Sequence, residues 1–298
     1  ADRLQPVMQE AYRLAYIRKP EFMGNTRTEE KDPKFKVISD LPWSEQEINE
    51  RLAAYRQLSD KVEQEWRALP AQKKETYFQL VKYPVQAAAQ MNNKLLTAQL
   101  ARHGKADWAD SDRAYDSIVS LTKTYNTTKW NRMMDFQPRR LLVFNRVERK
   151  ALSSGLLEKP QAVYTWNGAD CVEGASVICE GLGYEGKAVA VEKKKELTFE
   201  FAAWETDSVE VEVRLLPNHP VEGERLRFTI SLDGSATEAV SYETKGRSEE
   251  WKENVLCNQA VRRMILPVAR KASHRLIFTA LDEGVVLDQI CLYMPRIK

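Results

Sequence analysis

The spacing of the apolar side chains changes near the middle of the chain, and this change limits what the chain can fold into. In the first half, apolar residues recur at the three- and four-residue spacing of one helix face. In the second half they alternate with polar residues, as in strands with one buried face. The length of 298 residues is typical of about two domains. We therefore predict a multidomain α and β chain: an antiparallel helical bundle with a terminal loop and linker over residues 1–150, then an antiparallel, jelly-roll-like β-sandwich over residues 151–298.

Four amphipathic helices are predicted in the first half. The run from Ser44 to Glu47 has the composition of a capping box, in which the serine hydroxyl and the glutamate carboxylate satisfy helix amides reciprocally. Pro84 lies inside the longest helical pattern, where it predicts a kink and not a break. The short connections favour an antiparallel bundle. The predicted helices cover residues 3–19, 45–69, 72–102 and 107–125.

Strands are predicted throughout the second half from residue 160 onward. Alternation is clearest from Val209 to Leu215 and from Leu226 to Leu232, and several short strands at even spacing indicate a sandwich or jelly roll. The pair Asp233-Gly234 is a hairpin-type turn. The charged run around Trp251 is interpreted as a solvated loop or helical turn. Further strands are predicted at residues 197–202, 240–244, 264–268, 274–280 and 289–293.

The composition excludes two kinds of partner. The chain carries 45 basic and 43 acidic side chains, a formal net charge of +2, whereas nucleic-acid-binding domains usually present a basic face. No apolar run approaches the roughly 20 residues of a membrane-spanning helix. We therefore predict no nucleic-acid partner and no membrane partner.

The histidines and cysteines form no catalytic or metal-binding pattern. His103, His219 and His274 are far apart in the sequence, whereas a metal site needs clustered ligands. The four cysteines, which are either free thiols or include a Cys171–Cys179 bridge, fit no zinc spacing. No glycine-rich phosphate loop or nucleophile elbow occurs. The prediction is therefore no catalytic residue, no metal and no cofactor.

Three tryptophans and one arginine of the second half are candidates for binding a carbohydrate. Trp166, Trp204 and Trp251 could each stack an indole ring on a sugar face, although large aromatic side chains more often fill a core. Arg247 lies close to Trp251 in the sequence and could bind a carboxylate with two hydrogen bonds. The alternative for this arginine is a surface ion pair.

Six runs of residues together point to a family. They are YRLAYIRKPE at 12–21, FQLVKYPVQA at 78–87, KWNRMMD at 129–135, RLLPNHP at 214–220, GRSEEWKENVL at 246–256 and DEGVVLD at 282–288. In this order they resemble the C-terminal region of glycoside hydrolase family 115. Two departures are the run at 136–144, which follows the third motif and lacks the aromatic, glutamine-rich character of many members, and Glu283, where members often have proline.

The resemblance implies a function for the parent protein and not for this chain alone. Members of the family are xylan α-glucuronidases, which remove glucuronic acid or its 4-O-methyl form from xylan. They carry an N-terminal α/β domain and a catalytic (β/α)₈ barrel before a helical bundle and a β-sandwich. A barrel takes about 250 residues of alternating strand and helix, and this chain lacks that alternation. The family's catalytic residues therefore cannot be transferred to this sequence.

The resemblance leads us to expect a non-catalytic accessory region that packs against the catalytic barrel of its parent and supports assembly or weak binding of a xylan-type glycan. We expect the barrel to contact five residues: Arg18, Phe22, Trp130, Arg132 and Asp135. A periplasmic or secreted location is also implied, although no signal peptide is visible. The missing initiator methionine predicts an excised or processed piece. Two alternatives stay open, a stand-alone carbohydrate-binding module and a structural domain that forms a homodimer.

Overall fold

The chain folds into two compact units, Ala1–Lys159 and Pro160–Lys298. The structure is a computed structural model and describes residues 3–27, 30–135, 141–152, 155–171 and 177–295. The first unit is helical and the second contains two antiparallel β-sheets. This confirms the predicted fold class, a helical region followed by a sandwich of antiparallel sheets. Residues 136–140 of the divergent run lie outside the described residues.

The predicted helices are all present in the first unit. The box at the start of the second helix forms as expected, because the amide of Glu47 donates to Ser44 Oγ at 3.3 Å and the amide of Ser44 donates to Glu47 Oε2 at 2.7 Å. The helices are α1 Leu4–Ile17, α2 Glu45–Ala68, α3 Ala71–Tyr77, α4 Tyr83–Arg102 and α5 Trp108–Tyr125.

The helix continues through Pro84, as the sequence predicts. One wider, π-helical turn precedes the proline. The π-helical stretch Phe78–Lys82 joins α3 to α4, and the amide of Tyr83 donates to the carbonyl of Phe78, five residues earlier. Proline has no amide hydrogen and its ring crowds the carbonyl four residues before it. A wider turn before Pro84 accommodates both effects, since π-turns insert an extra residue without ending the helix.

A buried lysine holds an irregular segment onto the helices. The segment 141–149, here called the strap, includes a short 3₁₀ turn at Leu142–Phe144. Lys94 of α4 has no exposed surface, and its ammonium donates to the carbonyl oxygens of Val143 at 2.6 Å and Asn145 at 2.8 Å. Burial lowers the pKa of Lys94 to about 7 because a charged group loses its hydration.

Among the described residues of the second unit, eleven strands pair into two sheets. One sheet has the order β2-β3-β11-β5-β9, with β1 also paired to β11, and the other has the order β4-β10-β6-β7, with β8 also paired to β6. The strands are β1 Tyr164–Asn167, β2 Val177–Glu180, β3 Lys187–Ala190, β4 Glu196–Ala202, β5 Ser208–Leu215, β6 Arg227–Leu232, β7 Ser235–Ala236, β8 Val240–Ser241, β9 Ala260–Pro267, β10 Ser273–Ala280 and β11 Val286–Tyr293.

The alternating strands behave as predicted. In β5, Val209, Val211 and Val213 are fully buried in the core between the sheets. Asp233 and Gly234 both have positive φ, 53° and 90°, and form the two-residue turn between β6 and β7, as a type I′ hairpin requires.

Some elements of the second unit differ from the sequence analysis. Strands β1, β2, β3 and β7 were not predicted. The charged run around Trp251 is the helix α6, Glu249–Cys257, capped by the hydroxyl of Ser248, so the loop interpretation was wrong and the helical alternative was too short. All four cysteines are free thiols.

A buried ion cluster crosses the outer side of the sheet that contains β5. Glu212 has a side chain only 3% exposed and binds Arg214 Nε at 2.7 Å and Arg263 Nη2 at 2.6 Å. Arg214 also donates to Gln289 Oε1 at 2.8 Å and to the hydroxyl of Tyr293 at 3.2 Å. Burial opposes ionisation of Glu212, but the two guanidinium groups outweigh it and hold the pKa of this carboxyl below its ordinary value.

Replacing the central carboxylate should destabilise the second unit strongly. We expect Glu212→Gln to lower its free energy of unfolding by about 3–5 kcal/mol, because removing one member of a buried ion pair leaves charge uncompensated. Hydrogen exchange of the β5 and β11 amides measures this directly. Glu210→Gln on the same strand is the matched control, since Glu210 is 3.9 Å from Arg263. Equal effects of the two substitutions would contradict the prediction.

The buried lysine should make the stability of the helices depend on pH. The pKa of Lys94 is about 7 in the folded protein against 10.5 in the unfolded chain, so between these values the unfolded state binds more protons. The free energy of unfolding should therefore rise with pH above about 7, by up to roughly 1.4 kcal/mol per pH unit. Urea unfolding followed by circular dichroism at 222 nm tests this. The pH profile of Lys94→Met should lack the rise and that of the exposed Lys73→Met should keep it; superimposable profiles for wild type and Lys94→Met would contradict the prediction.

Candidate functional site

Trp204, predicted as a sugar-stacking residue, lies in the core of the second unit. It is only 8% exposed, and its indole nitrogen donates to the carbonyl of Ser208 at 2.9 Å. Its ring meets Phe201 edge-on at 5.7 Å between centroids. The side chain is satisfied and covered inside this unit, which leaves little surface for a ligand.

Trp166 belongs to the same aromatic cluster. It is half-buried on β1 and stacks on Tyr164 at 5.2 Å, with the two rings 13° from parallel. It also packs against Phe199 and Phe201 of β4. The structure therefore brings Trp166 and Trp204 together, but as packing between the sheets.

Arg247 and Trp251 lie at the start of α6. Arg247 is exposed and adopts the left-handed conformation, with φ of 64°. Trp251 is half-buried, and its amide donates to the capping hydroxyl of Ser248 at 3.2 Å. In the part of the chain that the structure describes, Arg247 has no ion pair or side-chain hydrogen bond. This pair is the accessible part of the predicted glycan-binding set.

Two residues of the predicted barrel interface are buried or half-buried within the first unit. Arg18 is only 1% exposed, and it donates to the carbonyl of Phe22 at 2.9 Å and to Asn25 Oδ1 at 3.2 Å. Phe22 is half-buried in a 3₁₀ turn. The contacts of Arg18 fix the chain just after α1, so its guanidinium is already used within this unit.

The other three interface candidates share one loop, residues 126–135, here called the docking loop. Trp130 packs against Phe78 and Tyr125, whereas Arg132 and Asp135 are exposed. Arg132 has a positive φ of 64°, which is uncommon for a residue with a side chain.

The side chain of Asn126 fixes the far end of the docking loop. Its amide group donates to the carbonyl of Met134 at 2.9 Å and its oxygen accepts from the amide of Met134 at 3.3 Å. This reciprocal pair holds the backbone in one place. Within the described residues, the buried indole nitrogen of Trp130 has no hydrogen-bond partner.

Two methionines of this loop were not among the predicted interface residues. Met133 is 61% exposed and Met134 is 38% exposed. Methionine is flexible and polarisable, and it is over-represented at surfaces that adapt to a partner. The signal was present in the run KWNRMMD, where two apolar residues follow charged ones, but sequence alone could not show that they face outward.

A histidine–aspartate pair in the second unit is buried. His274 Nδ1 lies 2.8 Å from Asp233 Oδ2, and its ring stacks on Phe201 at 4.9 Å. The side chain of His274 has no exposed surface, so a substrate could not reach it without the strands opening. This pair is best explained as packing that fixes the β6–β7 turn against β10.

The described residues contain neither a cluster of metal ligands nor a helix suited to crossing a membrane. No group of three His, Cys, Asp or Glu side chains within them is placed to hold a metal ion. None of the helices in these residues combines the length and apolar character that crossing a membrane requires.

The chain is similar to known glycoside hydrolases. The Glycosyl hydrolase family 115 C-terminal domain matches residues 175–298. A solved family GH115 4-O-methyl-alpha-glucuronidase, with specificity for decorated arabinogalactans, is 61% identical over 99% of this chain, with a TM-score of 0.94. This chain spans only 39% of that relative's length.

Other comparisons add little. A carbohydrate-binding module of a lichenase from Cellvibrio mixtus is 12% identical over 46% of this chain and all of its own, with a TM-score of 0.36. An exo-beta-1,3-galactanase from Phanerochaete chrysosporium is 16% identical over 44% of this chain and 29% of its own, with a TM-score of 0.33. Both TM-scores are too low to support an inference about this chain. A comparison with curated proteins finds no match.

The family assignment rests on two findings that agree. The domain match covers most of the second unit, and the 61% identity extends through both units. The chain therefore belongs to glycoside hydrolase family 115, whose C-terminal domain it contains.

Proposed function

We propose that this chain is a non-catalytic accessory region of a family 115 α-glucuronidase and that its helical unit packs against the catalytic part of the same protein. The supporting observation is the docking loop, which holds exposed methionines on a fixed backbone. This chain spans 39% of the length of the 61%-identical relative. The rest of that relative is therefore large enough to contain a catalytic part.

The docking loop has the features of a preorganised contact. Both backbone groups of Met134 are bound by Asn126, and the indole of Trp130 anchors the other side in the helical unit. A left-handed residue such as Arg132 costs on the order of 1 kcal/mol, and such strain is kept where the surrounding structure holds it. A loop that is ordered beforehand loses less entropy when it binds.

The chemistry of the loop also fits a protein partner. Met133 and Met134 present apolar surface, while Arg132 and Asp135 place one charge of each sign beside it. Protein interfaces commonly combine an apolar centre with a polar rim. We infer that the methionines enter the interface and that the two charged side chains lie at its edge.

This chain alone should show no hydrolase activity. We expect no release of 4-O-methylglucuronic acid from glucuronoxylan or from a decorated arabinogalactan, because the catalytic part lies elsewhere in the parent. A full-length chimaera, in which this chain replaces the matching 39% of the relative, should be active. Chromatography of the released sugar is the measurement. Hydrolysis by this chain alone would overturn the proposal.

Charge introduced into the docking loop should weaken its attachment. In the chimaera we expect Met133→Asp to cost about 1–3 kcal/mol, since it places a carboxylate in an apolar contact, and to lower the melting temperature measured by calorimetry. In this chain alone the same substitution should have little effect. Val37→Asp, at another exposed position of the helical unit, is the control. Equal behaviour of the two variants in the chimaera would argue against the docking loop.

A second candidate function is weak glycan binding by the sandwich, and the exposed Arg247, four residues before Trp251 in the chain, favours it. In calorimetry against glucuronoxylan we expect weak heat that Arg247→Ala and Trp251→Ala each abolish, because a guanidinium can bind a uronate carboxylate with two hydrogen bonds. Arg225→Ala, at an exposed position of the same unit, should bind as the wild type does. Absence of heat for the wild type would remove this candidate.

The remaining alternative, a structural domain that forms a homodimer, makes a separate prediction. Light scattering of this chain would then give the mass of a dimer of 34.3 kDa protomers. A monomer at high concentration would count against it.

A further inference from the structure

Helix α1 carries apolar side chains on two sides. One side faces the interior of the helical unit, where Val7 and Leu14 are fully or almost fully buried and pack with α2 and α4 residues. The second side is a row at four-residue spacing, formed by Leu4, Met8, Tyr12 and Tyr16. We call this row the α1 ridge.

The α1 ridge runs from the flank of the helix to its exposed surface. Tyr12 is 67% exposed and Leu4 is 38% exposed, while Met8 and Tyr16 are half-buried. Residues four apart form a continuous ridge on a helix, and such ridges pack into the grooves of neighbouring helices. The exposed part of the α1 ridge, at Leu4 and Tyr12, therefore has the shape of a surface that packs against another helix.

The charges of α1 are paired with each other. Its only charged residues, Glu10 and Arg13, are bound to each other by two hydrogen bonds of 2.8 and 2.9 Å. By helical geometry Glu10 projects from the side opposite Met8 and Tyr12, whereas Arg13 borders the ridge one turn before Tyr16. The ridge residues themselves are uncharged, and no acidic or basic side chain stands between Leu4 and Tyr12 on that row.

We propose that the α1 ridge packs into an apolar groove of the catalytic part of the same polypeptide. This inference rests on the proposed function and adds a second contact to the docking loop. More than half of the relative's chain lies outside the region that this chain spans, so an intramolecular partner of sufficient size exists in that relative. The uncharged, aromatic character of the ridge suits a permanent interface, since such interfaces are more hydrophobic than transient ones.

Chemical labelling of Tyr12 tests this proposal. Nitration by tetranitromethane, followed by peptide mass spectrometry, is compared between this chain alone and the active chimaera. We expect Tyr12 to react readily in this chain alone and at least ten-fold more slowly in the chimaera. Tyr184, an exposed tyrosine of the second unit, is the internal reference. An equal rate for Tyr12 in both proteins would overturn the proposal.

A pair of substitutions provides the second measurement. Tyr12→Glu should lower the melting temperature of the chimaera by several degrees and leave that of this chain unchanged, because the tyrosine is covered only in the former. Gln57→Glu introduces the same charge at an exposed position of α2 and should change neither protein. Equal effects of both substitutions in the chimaera would also overturn the proposal.

The outcomes separate this proposal from the proposed function. An active chimaera whose Tyr12 stays reactive contradicts the ridge contact alone, whereas hydrolysis by this chain alone contradicts the accessory role. If Tyr12 of this chain becomes protected as the protein concentration rises, a second copy covers the ridge, and the intramolecular contact is wrong.

Discussion

Arg51 joins three parts of the helical unit from a buried position. Its guanidinium donates to Asn92 Oδ1 at 2.7 Å and to the carbonyls of Leu14 and Arg18 at 3.0 and 2.8 Å. The last carbonyls of a helix have no partner within it, so a cation at the end of α1 satisfies them and complements the helix dipole. The ring of Tyr55 lies 5.1 Å from the same guanidinium. Because α1, α2 and α4 all meet at this group, the position of α1 and of its exposed ridge depends on it.

The sandwich follows the same principle with different groups. Arg214 and Arg263 bind the buried carboxylate of Glu212 and offset the free energy of removing it from water. A buried charge without such partners would destabilise the fold far more. In both units a buried charge is neutralised or hydrogen-bonded inside the unit. The candidate contact surfaces, by contrast, are exposed and lie on backbone that these interior contacts hold still.

This division of roles agrees with an accessory region. The family 115 relationship assigns the fold, while several buried polar side chains of the described residues have their partners within their own unit. Trp204 and Arg18 illustrate this, because each is satisfied within its own unit. The surfaces that we propose for contact with a partner are the docking loop, the α1 ridge and the turn at Arg247.

The sequence by itself determined the helices, the alternating strands, the capping box at Ser44 and the family, because each depends on local spacing or on a run of identities. It did not determine that residues around Trp251 form a helix, that Trp204 is covered, or that Met133 faces outward. Those features depend on which distant segment lies against a side chain, as Lys94 shows by binding carbonyls about fifty residues away along the chain. Burial and hydrogen-bond partners are set by long-range packing, so only the tertiary structure could decide them.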